Sequence, residues 1–559
     1  MTEKKRAVFI ICFFLASLCG GMAAIAGAEK TDKKNLAKKK IFEPWGVNVH
    51  LVFPSAKPFM NQLCAAMKDA GVQIIRVDGY WSYGNMLAQR ALLDSAMYYA
   101  DMHGLKVLLN FPTVPTKRDS ASVDEWCKML KYYASRYDGK TPIRLTDSGE
   151  ARYPRVNYFE PMNEVDFVYD QGKITLEEAF MLTRKSAEAV REARPESDVR
   201  VVLAGICSFS LFVKKFLNYK DKDGVSLNDL VDVVSYHDYT TSADGWLYDI
   251  KRRKKEFKEA GLEGKEIWLT EYGSNLYETD LDEQASYFVK RSVEALSLGI
   301  DKIFYYQFHY YGGNTFPLKL QREDYFGMVD TSIENPYVEF LENRDDGNYS
   351  IMTGGQPIRV YITGRRKVAL YGLNDRILRK LKYQGLKVAG KGFSVVSVVL
   401  FQKKTKEEKT VWNGNVEINS DGSRVLKLNP ELFGSATKND CILLNVEDVR
   451  DKLGGWDKLR PFPVYRAYAF LTSLLGEGSP LPMKLSKNNN QYVWRTPDGV
   501  DVLTAWDELG KKIVAWTEWA NSSYYIYDNS GCKLKKGSDL KRNAPFFFIG
   551  KDSLLLRSF

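Results

Sequence analysis

Between Trp45 and about Phe308 the sequence repeats one unit, in which a short apolar strand is followed by a loop and an amphipathic helix. From Leu281 to Leu296, for example, Ala285, Phe288 and Val293 fall on one helical face. Because parallel strands are joined by such helical crossovers, the repeat predicts an α/β fold built on a parallel sheet. Eight strands are predicted, at Gly46–His50, Val72–Val77, Lys106–Phe111, Val156–Glu160, Val201–Ala204, Asp232–Tyr236, Glu266–Glu271 and Lys302–Gln307.

Eight strands in sequence fit two architectures, a closed (β/α)8 TIM barrel and an open, doubly wound sheet. A barrel of this type takes about 250 residues, close to the length of the repeating segment, and it needs no glycine-rich phosphate loop. The open sheet that binds nucleotides usually carries such a loop after its first strand, and none is present here. The pattern therefore favours the TIM barrel.

The barrel's last helix does not follow its last strand directly. Period-2 strands come instead, at Arg359–Ile362, Val368–Tyr371, Phe393–Phe401 and Val411–Ile418, and the next helical pattern is Pro463–Leu475. We therefore expect a barrel at 42–330 that is completed by an eighth helix at 461–478, with a β-rich domain inserted at 331–460. Residues 479–559 are again strand-rich and predict a C-terminal β-sandwich. The alternative is one continuous β-domain over 331–559.

The N-terminus has the pattern of a signal peptide. A basic start (Lys4, Lys5, Arg6) precedes an apolar run that is too short to span a bilayer, and Ala26-Gly27-Ala28 is a small-residue cleavage site. We expect a signal peptide at 1–28, a solvated linker at 29–41, and a protein that is secreted to the periplasm or beyond, with no membrane span after cleavage. The alternative is a retained anchor or a lipid on Cys19.

The net charge of +10 arises from 80 basic and 70 acidic residues, and part of it lies in the lysine-rich linker. No arginine-rich helix or zinc-finger spacing accompanies it, so we predict no nucleic-acid partner. Removal of the signal peptide leaves five widely spaced cysteines without a CxxC pair, which predicts neither a disulfide scaffold nor a zinc site. We expect no cofactor and no metal. The oligomeric state stays open.

Polar side chains gather where the predicted strands end, at the face where barrel enzymes carry their active sites. Three of the four histidines in the chain fall there. The candidate residues, in chain order, are His50, Arg76, Trp81, Asn110, Asn163, Glu164, His237, Tyr239, Glu271 and His309.

Glu164 and Glu271 follow two apolar strands, in Phe159-Glu160-Pro161-Met162-Asn163-Glu164 and Trp268-Leu269-Thr270-Glu271. Paired carboxyl groups about 5 Å apart cleave glycosidic bonds with retention of configuration. We therefore predict that Glu164 is the acid/base and Glu271 the nucleophile. Glu160 is the rival acid, but it lies nearer the strand body, where a structural partner is favoured.

The remaining candidates are expected to bind substrate or to support residues that do. Arg76 would favour the charged form of Glu271, and Tyr239 would donate a hydrogen bond to it. Asn163 would contact the sugar 2-hydroxyl, and Trp81 would offer a flat face to a sugar ring. For the three histidines His50, His237 and His309, and for Asn110, direct contact and indirect support both stay open.

These motifs resemble those of the clan A glycoside hydrolases, with family 39 and family 5 types the most similar. The resemblance covers about residues 42–310 and the helix near 464, and includes Arg76 after strand two and His237 and Tyr239 after strand six. It implies a TIM barrel that cleaves β-linked poly- or oligosaccharides, with the acid/base after strand four and the nucleophile at strand seven. The chain departs from the clan at the end of strand eight, where Phe304-Tyr305-Tyr306-Gln307 contains no tryptophan. A tyrosine can take its place there.

Two other functions compete with a retaining hydrolase. A non-catalytic carbohydrate-binding barrel would keep the aromatic residues without needing both glutamates. A metal-dependent hydrolase would use His50, His237 and Asp238, although the closely spaced ligand sets of such sites are missing.

Overall fold

The computed structural model describes most of the chain from residue 43 to residue 550. The residues left out of this description within that span are 53–55, 57–58, 80–85, 116, 146–148, 196–197, 276–278, 280, 310–325, 331–351, 354–355, 358, 363–366, 372–374, 390–392, 403, 406, 419–422, 435, 438–439, 449–459, 477–478, 480, 485–489, 497–498, 507–523 and 535–543. The predicted signal peptide at 1–28, the linker at 29–41 and the candidate residue Trp81 therefore lie outside the described residues.

Eight parallel strands form the central sheet. In chain order they are Trp45–Asn48, Ile74–Asp78, Lys106–Asn110, Tyr158–Glu160, Arg200–Val201, Val233–His237, Glu266–Tyr272 and Lys302–Tyr305, called strands one to eight below. Each overlaps its predicted strand. Their order across the sheet is five, four, three, two, one, eight, seven, six. Single parallel bridges from Val202 to Val233 and from Ile206 to Tyr236 join strand five to strand six, so the sheet closes on itself.

Helices surround this closed sheet. Between the strands they are Met60–Asp69, Met86–Met102, Ser120–Arg136, Val165–Asp170, Leu176–Ala193, Leu211–Leu217, Leu227–Leu230, Ala243–Glu259 and Leu281–Ser297. Two of the longer ones, Ser120–Arg136 and Leu176–Ala193, begin at polar caps: Asp119 accepts from the Ser122 amide, and Thr175 with Glu178 forms a capping box. Such caps satisfy amides that lack a partner in the first turn, which explains why these helices start where they do.

The helix Pro463–Leu474 packs against the barrel between its first and last helices. Tyr465 and Thr472 donate to the carbonyl oxygens of Ala66 and Ala70, at 3.1 and 2.7 Å, in and just after the Met60–Asp69 helix. Tyr468 stacks on Phe288 of the Leu281–Ser297 helix at 5.0 Å. The helix therefore occupies the place of an eighth barrel helix, although it lies about 160 residues beyond strand eight.

Antiparallel sheets follow the barrel. One has five strands, in the spatial order Arg359–Ile362, Lys367–Tyr371, Cys441–Asp448, Phe393–Gln402 and Glu407–Ile418. Two-stranded pairs join Met352–Thr353 to Gln356–Pro357, Leu386–Ala389 to Ser423–Leu426, and Val329–Asp330 to Arg460–Pro461. The helices Asp375–Gln384 and Pro430–Phe433 accompany them, and a separate apolar cluster that includes Leu381, Val398 and Leu444 forms their core.

A second five-stranded sheet ends the described chain, in the order Met483–Lys484, Asn490–Arg495, Asp501–Trp506, Phe546–Gly550 and Tyr524–Tyr527. It packs on the Pro463–Leu474 helix, where Phe470 meets Phe547 at 5.1 Å. The predicted fold class, a TIM barrel with additional antiparallel β-structure, is thus confirmed. The domain boundaries and the C-terminal sandwich stay predictions, since the described residues there form one sheet. No helix among the described residues is both long and apolar enough to cross a bilayer.

Candidate active site

The barrel interior is apolar at its base and polar at its mouth. One buried cluster fills the base with Ile74, Leu108, Val202, Val233, Trp268 and Phe304, most of them from different strands. Because side chains on one face of a strand recur every second residue, the next inward positions are Arg76 on strand two, Asn110 on strand three and Ser235 on strand six. The polar residues at the strand ends therefore converge above the apolar base of the barrel.

Arg76 is the centre of this polar layer. Its Nε donates to Glu160 at 2.5 Å, its Nη1 to Glu271 at 2.6 Å and to Asn48 at 2.9 Å, and its Nη2 to Asn163 at 2.6 Å. The side chain is almost wholly buried, which by itself would lower the pKa of Arg76, but the carboxylates of Glu160 and Glu271 raise it instead. A permanently charged guanidinium thus joins strand two to strands one, four and seven.

Glu160 has the structural role that the sequence favoured for it. The side chain is fully buried, and besides Arg76 it accepts from the backbone amide of Gly205 at 3.0 Å. Burial raises the pKa of Glu160, partly offset by the charges of Arg76 and His237. With its oxygens occupied and no exposed surface, Glu160 is not placed to meet a substrate.

Glu271 reaches the barrel mouth because strand seven contains a β-bulge. Strand seven pairs with its neighbours in shifted register at this point: Leu269 faces Tyr236, but Glu271 faces His237. In a regular strand, side chains on one face are an even number of residues apart. Leu269 and Tyr272 both pack in the outer core although they are three residues apart. The extra residue turns Glu271 inward, where Arg76 donates to Oε1 and the Tyr239 hydroxyl donates to Oε2 at 2.7 Å.

Glu164 sits at a strained turn immediately after strand four. Its φ of 45° and ψ of 54° are left-handed, and it is the one residue other than glycine with positive φ in the described part of the chain. Its amide donates to the Gly205 carbonyl, and its carbonyl accepts from Val168 in the helix Val165–Asp170. Such strain costs about 1–3 kcal/mol and is concentrated at functional sites. Here it directs a part-exposed carboxylate toward the barrel mouth.

His237 lies between the two glutamates. Its Nδ1 is 2.8 Å from Glu164 Oε1 and 3.5 Å from Glu271 Oε2, and its side chain has no exposed surface. Burial alone would lower the pKa of His237, but the charges of Glu271 and Glu164 raise it. Its other nitrogen faces Gly205 so closely that a Cβ there would lie 2.1 Å away, which explains the glycine. His237 therefore supports the carboxylates, and direct contact with a sugar stays a prediction.

The two carboxylates are close enough to act on one bond. Oxygens of Glu164 and Glu271 and a nitrogen of His237 all lie within 4.8 Å of one another. Retaining glycosidases hold their carboxyl groups about 5–5.5 Å apart, whereas inverting ones separate them by about 6.5–9.5 Å to admit a water. The arrangement is therefore suited to direct attack by one carboxylate while the other transfers a proton.

The same three side chains are a donor set that could hold a divalent cation. However, Arg76 and Tyr239 already occupy both oxygens of Glu271, and the guanidinium would repel a second positive charge at this distance. The alternative metal set of His50, His237 and Asp238 is not assembled. Asp238 accepts from the Thr240 amide and lies on the outer side of strand six near Arg253, where burial raises its pKa to about 6.

A second polar chain lines the opposite side of the mouth. Asn110 donates to Asp78 at 2.8 Å, Asp78 bonds His50 Nδ1 at 2.6 Å, and His50 Nε2 lies 3.2 Å from the Tyr306 hydroxyl. Burial would raise the pKa of Asp78, but His50 and Arg76 lower it. His50 and Tyr306 are partly exposed and Asn110 is buried, so His50 and Tyr306 form the polar edge that this chain presents to the cleft.

Tyr306 stands at the end of strand eight, where the clan tryptophan is absent. Its ring meets Tyr239 and Phe326 edge-on at 6.2 and 5.3 Å. Sequence analysis allowed a tyrosine at this strand end without choosing Tyr306, and it did not include Asp78 among the candidate site residues. Asp78 could have been found, because it lies two residues beyond Arg76 and hence on the same face. For the tyrosine at the end of strand eight, the sequence did not distinguish Tyr305 from Tyr306, and the structure does, because Tyr305 turns outward into the core.

His309 is buried beside His50 rather than exposed to the cleft. Burial, with a smaller contribution from His50, lowers the pKa of His309 to about 4. It is thus placed to support the site, and contact with substrate stays a prediction, as it does for Asn110 and Asn163.

The buried His309 predicts a pH dependence of stability. Its folded pKa lies below its unfolded value of about 6.5, so the unfolded chain takes up the proton first and stability falls as pH drops from about 6.5 to about 4. When the pH is lowered from 7 to 4.5, the free energy of unfolding should fall in both proteins. We expect the fall to be about 2 kcal/mol smaller in His309→Gln than in the parent protein. Urea unfolding at both pH values measures this. His103→Gln, at a more exposed histidine, is the control, and equal losses in parent and His309→Gln would contradict the prediction.

Comparison with known proteins gave a family match over much of the barrel and several similar solved structures. Residues 102–319 match the family model described as glycosyl hydrolase catalytic core. Among solved structures, a family 39 glycoside hydrolase from Bacteroides cellulosilyticus WH2 is 15% identical with a TM-score of 0.48, over 91% of this chain and 81% of that one. A glucosidase from Croceicoccus marinus is 12% identical with a TM-score of 0.40, over 73% of this chain and 97% of that one. No curated protein matches the sequence. Residues 102–319, which contain both Glu164 and Glu271, are thus similar to the glycosyl hydrolase catalytic core, the kind of protein that the motifs around these two glutamates predicted.

Proposed function

We propose that this protein is a secreted retaining glycosidase that cleaves β-linked bonds in poly- or oligosaccharides by double displacement. The observation that carries the proposal is the spacing of Glu164 and Glu271, whose oxygens lie within 4.8 Å. The β-linkage rests on the resemblance of the motifs, and secretion rests on the N-terminal signal pattern.

In the first step, a carboxylate oxygen of Glu271 attacks the anomeric carbon as the bond to the leaving oxygen breaks. Glu164 gives its proton to that oxygen, and a covalent glycosyl-enzyme forms. In the second step, water loses a proton to Glu164, its oxygen attacks the same carbon, and Glu271 departs as a carboxylate. Two inversions give net retention.

The surroundings of the two glutamates differ in the way that these roles require. Arg76 and Tyr239 hold both oxygens of Glu271, which orients it for attack and stabilises the negative charge that returns when the intermediate breaks down. Glu164 is part-exposed and is hydrogen-bonded to His237. It therefore meets both the leaving group and the incoming water.

The stereochemistry of the product tests this proposal. The parent protein is screened on 4-nitrophenyl β-glycosides of glucose, mannose, xylose and galactose, and the first-formed sugar is followed by NMR before it mutarotates. We expect the β-anomer. First appearance of the α-anomer would mean inversion and would contradict the roles given to the two glutamates. The same assay after dialysis against a chelator is expected to show unchanged rates, whereas a metal-dependent hydrolase would lose activity.

A further inference from the structure

The segment 205–208, which follows strand five and is called the strand-five loop below, makes the backbone contacts that fix Glu164. Gly205 accepts from the Glu164 amide at 3.0 Å, and its own amide donates to Glu160 at 3.0 Å. The next residue, Ile206, accepts from the amide of His237 at 2.9 Å. The strand-five loop therefore lies between strands four and six, in contact with the acid on one side and with its histidine partner on the other.

Asp166 holds the strand-five loop from the side of Glu164. It lies two residues after Glu164, in the helix Val165–Asp170, and its side chain is fully buried. Its carboxylate accepts from the amides of Cys207 and Ser208, at 3.1 and 2.7 Å, and from the Cys207 thiol at 3.5 Å. An ionised carboxylate has acceptor sites alone, so it suits three donors that come from one loop.

Arg253 holds the same loop from the outer wall of the barrel. It lies on the helix Ala243–Glu259, is 1% exposed, and donates through Nη2 to the Ser208 carbonyl at 2.7 Å. Burial lowers the pKa of Arg253, and the nearby carboxylates of Glu256 and Asp166 offset part of this effect. Charged side chains are rarely buried in this way, because their removal from water is costly. Ser208 is thus held at its amide by a buried anion and at its carbonyl by a buried cation.

We propose that Asp166 and Arg253 are positioning residues for the acid/base Glu164. The left-handed backbone of Glu164 is strained, and such strain persists where the surrounding structure fixes it. With the strand-five loop held in place, Gly205 fixes the Glu164 amide while His237 fixes its carboxylate. Release of the loop would leave the acid present but misdirected, and a misplacement of about 1 Å can cost about 100-fold in rate. This inference rests on the proposed glycosidase function and on the acid role of Glu164.

The leaving group of the substrate separates a misplaced acid from a damaged fold. In Asp166→Ala, kcat/KM for the phenyl glycoside of the sugar selected by the aryl glycoside screen is expected to fall about 10-fold to 100-fold. For the 2,4-dinitrophenyl glycoside, whose leaving oxygen needs no proton, it should fall less than about threefold. Asp166→Asn keeps the size of the side chain and one acceptor oxygen, so it should recover part of the activity on the phenyl glycoside. Arg253→Met removes the donor to Ser208 and should show the same dependence on the leaving group.

The Cys207 thiol reports on the strand-five loop independently of activity. Cys207 is partly exposed, yet burial of its thiol and the charges of Glu164 and Asp166 raise its pKa. Because the thiolate is the reactive form of cysteine, loss of Asp166 should speed alkylation of Cys207 by iodoacetamide about tenfold. Cys532, an exposed cysteine outside the barrel, is the internal reference, and peptide mass mapping measures both rates in one sample.

Asp170→Ala is the matched control, because Asp170 is an exposed carboxylate on the same short helix as Asp166. It should change neither the aryl glycoside kinetics nor the alkylation of Cys207. In Asp166→Ala, equal losses on the two substrates, no loss on either, or unchanged alkylation of Cys207 would overturn the positioning role. Where Asp166→Ala does not fold, Asp166→Asn decides between the same outcomes. A Glu164→Ala protein with equal losses on the two substrates would instead overturn the acid role on which the proposal rests.

Discussion

Replacement of Glu271 by alanine is expected to lower kcat/KM by at least about 10⁴-fold, the scale on which enzymes respond to loss of a catalytic nucleophile or its partner. The structure supplies the reason. Glu271 is the carboxylate that Arg76 and Tyr239 hold on both oxygens, and its removal takes away the group that forms the glycosyl-enzyme. Steady-state kinetics on the best aryl glycoside measure the loss.

Azide distinguishes a missing nucleophile from a damaged fold. In the Glu271→Ala protein, azide should enter the vacated space, attack the anomeric carbon and displace the aglycone, to give a glycosyl azide of inverted configuration. We expect about 10-fold to 100-fold recovery of rate, far below the original acceleration. The product is identified by NMR.

Glu266→Ala is the matched control for Glu271→Ala. Glu266 begins the same strand, but at the opposite end of the barrel, where it pairs with Arg200 at 2.9 Å. Its loss is expected to leave kcat/KM within about threefold of the parent, since a part-exposed ion pair contributes little to stability. Near-normal turnover by Glu271→Ala would contradict the nucleophile role.

Replacement of Glu164 by alanine is the second large effect, and its size should depend on the leaving group. For phenyl glycosides, which need a proton on the leaving oxygen, kcat/KM should fall about 10³-fold, within the usual range for an acid catalyst. For 2,4-dinitrophenyl glycosides, whose leaving group departs as a stable anion, the same ratio should fall less than about tenfold. The difference between the two substrates is the signature of an acid, and it would be absent if Glu164 only supported the fold.

The azide product gives an independent check on Glu164. With Glu271 intact, azide intercepts the glycosyl-enzyme in place of water, so the glycosyl azide should have retained configuration, opposite to that from Glu271→Ala. Asp170→Ala provides the control, because Asp170 is an exposed carboxylate at the other end of the same short helix. Equal losses on both aryl substrates would contradict the assignment of Glu164.

The strands and the residues at their ends were predictable because the signals are local. Alternation and helical spacing mark each strand and crossover, and in a barrel every strand ends at the same face, so Arg76, Glu164 and Glu271 had to lie near one another. The Pro463–Leu475 pattern likewise predicted a helix far from strand eight. Its contacts with Ala66 and Phe288 place it against the barrel wall.

The directions in which individual side chains point were not predictable in the same way. Strict alternation from Trp268 and Thr270 would turn Glu271 outward, and only the shifted register against strands six and eight brings it inward. His237 was expected to bind substrate or support the site, and it is the close approach of Gly205 that buries it against both carboxylates, where it supports them. Asp238 was a candidate metal ligand, yet the alternation of strand six turns it to the outside.

The amino-acid sequence alone therefore determined the barrel, the two carboxylates and the face on which they lie, since each follows from short-range periodicity and chain order. The tertiary structure decided which side chains point at each other. Register shifts, the left-handed turn at Glu164 and the burial of His237 depend on contacts between strands that are distant in sequence, and no local pattern encodes those contacts.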